Sequence, residues 1–193
     1  MLKINEIFYS IQGEGYYTGM PAIFVRLAGC NLSCPFCDTD FRVNRVMCED
    51  EIIKDIKTYK NKNVILTGGE PLIQNLDKLI KKLKANGFNI HLETNGTIDT
   101  KLPFDWITVS PKSMINIKKA NEFKIIVKAS DKLSKIKKLV LKLKKITPLI
   151  YLQPCWDKNP EITRKNTEVC VKYVKEVKDC RLSLQTHKLI GIK

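Results

Sequence analysis

Short apolar runs alternate with amphipathic stretches along almost the whole chain, and the two kinds differ in period. Residues 22–28, 64–67, 88–94, 106–110, 123–128, 149–153 and 181–185 are compact and rich in β-branched or aromatic side chains, which predicts strands. Between them, residues 48–59, 73–86, 132–145 and 161–177 carry apolar positions at helical spacing. In the third, Leu133, Ile136, Leu139, Val140 and Leu143 make one apolar stripe, with Ser130 placed to cap it. Glu49, Asp50 and Glu51 complement the start of the first helix, and Gly87 closes the second.

Strand–helix alternation of this kind predicts an α/β fold with a mostly parallel sheet and crossover helices. Seven strands with few helices fall short of a closed eightfold barrel, so an open, partial (β/α) barrel is expected. There is no repeat, low-complexity run or linker. Pro103 and Pro111 read as turns inside a single domain over residues 1–193.

Charge adds less than its size suggests. The formal net charge is +14, but it is mostly lysine, with Arg26, Arg42, Arg45, Arg164 and Arg181 the chain's forked donors. The lysines crowd onto residues 76–84 and 132–145, on the faces the apolar stripes leave free, so solvated helix surfaces are favoured over a nucleic-acid footprint. Seven cysteines, three of them clustered, fit free thiolates in a reducing compartment better than a disulfide framework. Residues 1–6 do not resemble a secretory leader, and no apolar run approaches the ~18 residues of a membrane span. A cytoplasmic protein is expected.

The clustered thiols, Cys30, Cys34 and Cys37, stand as Cys-x3-Cys-x2-Cys just after the first predicted strand. Cubane iron–sulfur clusters normally take four cysteines. Three would leave one iron open, much as catalytic zinc keeps an open position. The competing reading is a structural zinc knot that borrows Cys48, His91, Cys155 or His187. The other strand ends are polar as well: Thr67-Gly68-Gly69-Glu70-Pro71, Glu93-Thr94-Asn95-Gly96, Ser110-Pro111-Lys112, Lys128, Gln153-Pro154 and Gln185-Thr186-His187-Lys188. In parallel α/β folds these ends form the ligand rim.

Cys30-Asn31-Leu32-Ser33-Cys34-Pro35-Phe36-Cys37 resembles the radical S-adenosylmethionine (SAM) signature, and Gly68-Gly69-Glu70-Pro71 resembles that superfamily's motif for the SAM amino group. Ser10-Ile11-Gln12-Gly13-Glu14-Gly15, Cys37-Asp38-Thr39 and the tail Gln185-Thr186-His187-Lys188 narrow the resemblance to the 7-carboxy-7-deazaguanine synthase family, over residues 7–191. The resemblance implies a carbon–nitrogen lyase of 7-deazapurine (queuosine) biosynthesis. Its substrate, 6-carboxy-5,6,7,8-tetrahydropterin, would lose a hydrogen atom at C6 to a 5′-deoxyadenosyl radical, contract its ring, regain hydrogen and release ammonia. It also implies a 4Fe–4S cluster on Cys30, Cys34 and Cys37, and Mg2+ with Thr39 as its protein ligand. Gly69, Ser110, Pro111, Lys112 and Gln153 would contact SAM. Gln12, Gly13, Glu14, Arg26, Thr67 and His187 would contact substrate. A reducing partner such as flavodoxin or ferredoxin, and a homodimer, are implied with them. The tail ends Gly191-Ile192-Lys193 where the family tends to Gly-Ile-Pro, and Cys155-Trp156 also departs from its pattern.

Some of these roles have a physical reading of their own. Arg26 interrupts an apolar strand, so it needs an anion: the substrate carboxylate, or an acidic side chain of the protein. Glu14 lies between two glycines, which lets its loop approach a ligand and its carboxylate accept from pterin N–H groups; an exposed turn glutamate is the alternative. Lys112, after a Ser-Pro turn, is placed to meet the SAM carboxylate. His187 would reach substrate from the last strand end or pack in the tail. Cys48, Cys170 and Cys180 read as packing residues. Two other functions use some of the same features. A radical activase making a glycyl radical on a partner protein would share the cysteine loop, and a non-catalytic metal protein binding nucleic acid would use the charge.

Overall fold

The computed structural model describes residues 1–193. Nine strands form one sheet: β1 (Leu2–Ile11), β2 (Pro21–Leu27), β3 (Arg45–Met47), β4 (Asn63–Gly68), β5 (Asn89–Thr94), β6 (Trp106–Val109), β7 (Glu122–Val127), β8 (Ile150–Pro154) and β9 (Cys180–Leu182). Their order is β3-β1-β2-β4-β5-β6-β7-β8-β9. From β2 onward every neighbouring pair is parallel, whereas β1 runs antiparallel to both β2 and β3. The seven predicted strands are the parallel set, and the sheet ends at β3 and β9 without closing.

The two unpredicted strands have local causes. A bulge between Ile4 and Glu6 breaks the two-residue alternation of β1, so its apolar face changes side part-way. The three residues of β3 are too few to show a period.

Helices α1 (Glu49–Ile56), α2 (Asp77–Ala85), α3 (Leu133–Leu143) and α4 (Pro160–Glu176) cover the outer face. Their buried positions, such as Leu79, Ile80 and Leu83 on α2 and Ile136, Val140 and Leu143 on α3, pack into two apolar clusters against the strands. The lysines of both helices stay outside. Cys48 caps α1, with Glu51 accepting from its backbone N–H at 2.6 Å.

Several boundaries differ from the sequence reading. The second predicted helix begins later, because Pro71–Ile73 forms a separate 3-10 turn and Asn75 accepts from the Asp77 N–H at 3.0 Å. Ser130 does not cap α3: Asp131 closes a turn onto the Lys128 N–H, which moves the cap to Lys132. The last strand stops at Leu182, and α5 (Thr186–Leu189) takes over the tail. No helix is long and apolar enough to cross a membrane.

Candidate functional site

The C-terminal ends of the parallel strands surround a cavity of about 540 Å³. Every residue expected at the site borders it except Pro111, which stands between two that do, Ser110 and Lys112. The sheet's inner face builds the wall. Strand register sets Glu6 opposite Arg26, Arg26 opposite Thr67, Glu93 opposite Thr108 and Thr108 opposite Glu122. A polar row therefore crosses the strands at one level, and the apolar residues alternating with it face the helices.

Both anions considered for Arg26 bear on what is found. Its Nε donates to Glu6 Oε1 at 2.9 Å, while its outer guanidinium nitrogens have no protein partner beside the cavity. Glu6 also pairs with Lys193, and both Arg26 and Lys193 lie against the Phe8 ring. Burial opposes charge on Glu6, but Lys193 and Arg26 outweigh it and hold the carboxyl below its ordinary range. Next along the row, Glu93 accepts from Gln12 Nε2 and from Thr67 Oγ1, each at 2.9 Å.

Glu14 is not an exposed turn residue. It pairs with Lys124 and accepts from Gln185 Nε2 at 2.8 Å. Its glycine neighbours make room for protein contacts, and Gly13 borders the cavity as well. A Cβ on Gly13 would lie 2.1 Å from His187 Nδ1, and one on Gly15 would lie 2.4 Å from Glu122 Oε1. Gly15 also has φ +69°, a conformation that disfavours side chains. His187 is therefore packed on Gly13 and borders the cavity, and it does so from α5 rather than from a strand end. Desolvation lowers its pKa, with Glu14 opposing.

Across the cavity lies the cysteine loop. Cys30 and Cys34 are half-buried, Cys37 is exposed, and none is in a disulfide. A zinc knot would need a fourth ligand beyond this loop. Of its proposed fourth ligands, Cys48 caps α1 and His91 packs on Tyr17, at 4.7 Å between ring centres. Glu70 holds the loops together from behind: its carboxylate accepts from Thr94 Oγ1 at 2.8 Å, the Asn95 N–H at 2.7 Å and the Leu72 N–H at 3.1 Å. Asn95 then donates to Asn31 in the cysteine loop at 3.0 Å.

The matching comparisons agree with this geometry. Residues 24–147 match the radical SAM superfamily model. A 7-carboxy-7-deazaguanine synthase of Bacteroides thetaiotaomicron is 42% identical over 100% of both chains. One of Escherichia coli is 34% identical over 98% of each. The crystal structure of QueE from Escherichia coli superposes with a TM-score of 0.76 at 32% identity, covering 96% of this chain and 94% of that one. The chain belongs to the 7-carboxy-7-deazaguanine synthase family.

Membership of this radical SAM family implies a 4Fe–4S cluster and SAM, and the residues present fit both. Three free thiols on one short loop supply soft donors and leave a fourth position to another ligand. Beside them, Gly69 is pressed so closely that a Cβ would lie 2.1 Å from the Gly29 carbonyl oxygen. Lys112 donates to Ser110 Oγ at 3.0 Å, and desolvation together with Lys124 lowers its pKa to about 8. Gln153 accepts from Ser183 Oγ at 2.8 Å, and its amide nitrogen has no protein partner.

Sequence reasoning missed Glu6 and Lys124 as members of this site, and placed Glu93 on the strand-end rim without its partners. The signal that marked Arg26 also marks Lys124, a lone cation between Phe123 and Ile125 in an apolar strand.

Proposed function

We propose that this cavity converts 6-carboxy-5,6,7,8-tetrahydropterin to 7-carboxy-7-deazaguanine, with ring contraction and release of ammonia. The observation that carries the reading is the polar row of Arg26, Thr67 and Glu93, with Gln12 and Glu14, facing three free thiols across one cavity. When bound, the cluster and SAM supply the hydrogen-abstracting chemistry. The chain's own residues select and orient the substrate. Arg26 turns its outer nitrogens to the substrate carboxylate, a charge-assisted contact, while Glu6 fixes its Nε. Gln12 and Thr67 hold Glu93, and Lys124 with Gln185 holds Glu14, so that both carboxylates meet N–H groups of the pterin. Gly13 contributes backbone and packs His187 against the substrate from α5. Gly69, Ser110, Lys112 and Gln153 hold SAM, with Pro111 shaping that turn.

Thr39 is the proposed protein ligand of Mg2+. It borders the cavity, and its hydroxyl has no protein partner, whereas Asp38 is taken by Lys188 and Asp40 by Arg42. A hard cation that keeps most of its waters suits a single hydroxyl. The enzyme works in the cytoplasm as a homodimer with a flavodoxin- or ferredoxin-like reductant. The exposed Cys37 edge supports access for such a carrier.

Anaerobic incubation of reconstituted enzyme with SAM, reductant and the carboxy-tetrahydropterin tests the reaction. The expected product has the mass of 7-carboxy-7-deazaguanine and needs all components. Cleavage of SAM with no conversion of the pterin would overturn the substrate assignment.

A further inference from the structure

Lys124 is the most thoroughly enclosed cation at the site, and the expected substrate contacts do not include it. Phe123 and Ile125 on either side face the apolar cluster under α3 and α4, so strand alternation turns Lys124 inward, where its side chain is 5% exposed. Two carboxylates from distant parts of the chain approach it. Glu14, in the loop after β1, pairs with it directly, and Glu93 Oε1 on β5 lies 3.6 Å from its Nζ.

Each carboxylate has neutral partners as well: Gln185 for Glu14, and Gln12 and Thr67 for Glu93. Those bonds orient the oxygens but supply no positive charge to offset the desolvation of the two anions. Lys124 does. The other charges nearby are Glu122 on its own strand, Lys112 after β6 and His187 on α5. Glu122 is already engaged by Thr108 Oγ1 at 2.8 Å and the Tyr16 N–H at 2.9 Å. A compact ammonium with three rotatable donors can serve two carboxylates at an angle, whereas a planar guanidinium favours one face-on pair.

We propose that Lys124 is a positioning residue for substrate recognition, holding Glu14 and Glu93 as a spaced pair of carboxylate acceptors for the N–H edge of the pterin. This deepens the reading above and rests on Glu14 as a substrate contact. Burial opposes charge on Glu14, and the Lys124 ammonium overcomes it, holding the carboxyl below its ordinary range. Without Lys124, desolvation pushes that carboxyl upward. Its acceptor capacity then falls as pH falls, and substrate affinity falls with it.

The test is equilibrium binding of the carboxy-tetrahydropterin to reconstituted enzyme without reductant, between about pH 6 and 8.5. Wild type, Lys124→Met, Glu14→Gln and the double variant are compared, with each affinity taken relative to wild type at the same pH. Lys124→Met should bind about ten- to a hundred-fold more weakly near neutrality. Its relative affinity should recover as pH rises, a limb that Glu14→Gln should lack. In the double variant the further loss beyond Glu14→Gln should stay within about threefold, because the two residues act through one interaction. Wild-type affinity in Lys124→Met, or a loss of equal size at every pH, overturns the positioning role. Wild-type affinity in Glu14→Gln overturns the substrate contact beneath it, a separate failure. Should Lys124→Met not fold, Glu14→Gln against the double variant decides: a further tenfold loss in the double variant overturns the proposal.

Discussion

Strand-borne groups on one side of the cavity and loop-borne thiols on the other differ in how much protein holds them. Arg26, Thr67, Glu93 and Lys124 project from parallel strands of one sheet, and each is tied to a neighbour by a hydrogen bond or ion pair. Cys30, Cys34 and Cys37 lie on a segment without regular structure, held by the Asn31–Asn95 bond and the Asp38–Lys188 pair at its flanks. The difference matches what each side is proposed to receive. A rigid organic molecule is recognised by donors and acceptors fixed beforehand, since ordering them at binding would weaken affinity. A metal cluster organises its own ligands, so its loop need only deliver thiolates of the right number and spacing.

If that contrast is sound, changes on the two sides should fail differently. The largest effect belongs to the thiols. Cys34→Ala should lose iron from about four per chain and abolish SAM cleavage. Because the loop lies outside the apolar core, the cluster-free variant should melt with the cluster-free wild type. Cys48→Ala, at the start of α1 and outside the cavity lining, should keep both iron and cleavage. A fully active Cys34→Ala enzyme would remove the cluster assignment.

Gly69→Ala comes next. The added methyl would meet backbone, the Gly29 carbonyl, so the strand end must move. SAM affinity, measured by equilibrium binding to the reconstituted enzyme, should fall by at least about tenfold, or about 1.4 kcal/mol. Unchanged affinity would mean that this close approach does not shape the SAM site.

Arg26→Met removes one charge-assisted contact worth about 1.5–3 kcal/mol, so substrate binding should weaken roughly ten- to a hundred-fold. Methionine keeps most of the volume, and thermal unfolding of the variant controls for the lost Glu6 pair. Quantifying 5′-deoxyadenosine beside product separates the two sides: product should fall steeply while uncoupled SAM cleavage persists. Product at the wild-type rate would reduce Arg26 to the partner of Glu6.

Thr39→Ala should have the smallest effect. Iron content should stay normal while Mg2+ stimulation of turnover shrinks by a few fold, since waters can replace one hydroxyl. A wild-type response to Mg2+ would leave Thr39 with no part in metal binding.

How much of this was legible in the chain follows the same division. The seven parallel strands, the four covering helices and the cysteine loop announce themselves through period and spacing. Glu93 was visible at a strand end but not as a partner of Gln12 and Thr67, because those bonds join residues 81 and 26 positions apart. Glu6 was hidden by the bulge in its strand. The glycines around Glu14 suggested room for a ligand, and the structure fills that room with His187 and Glu122. Such pairings need the sheet order, which a strand pattern alone does not specify.

The Asp38–Lys188 pair joins positions 150 residues apart, and Lys188 also lies 3.9 Å over the Trp156 ring. One end sits on the cysteine loop and the other on α5, the last helix of the chain. Occupation of the thiols should therefore be audible at the tail. Backbone amides of residues 186–189 should exchange deuterium more slowly once iron is loaded, and faster again in high salt, where a partly exposed ion pair is screened. The C-terminus becomes a reporter of cofactor content that needs neither colour nor turnover.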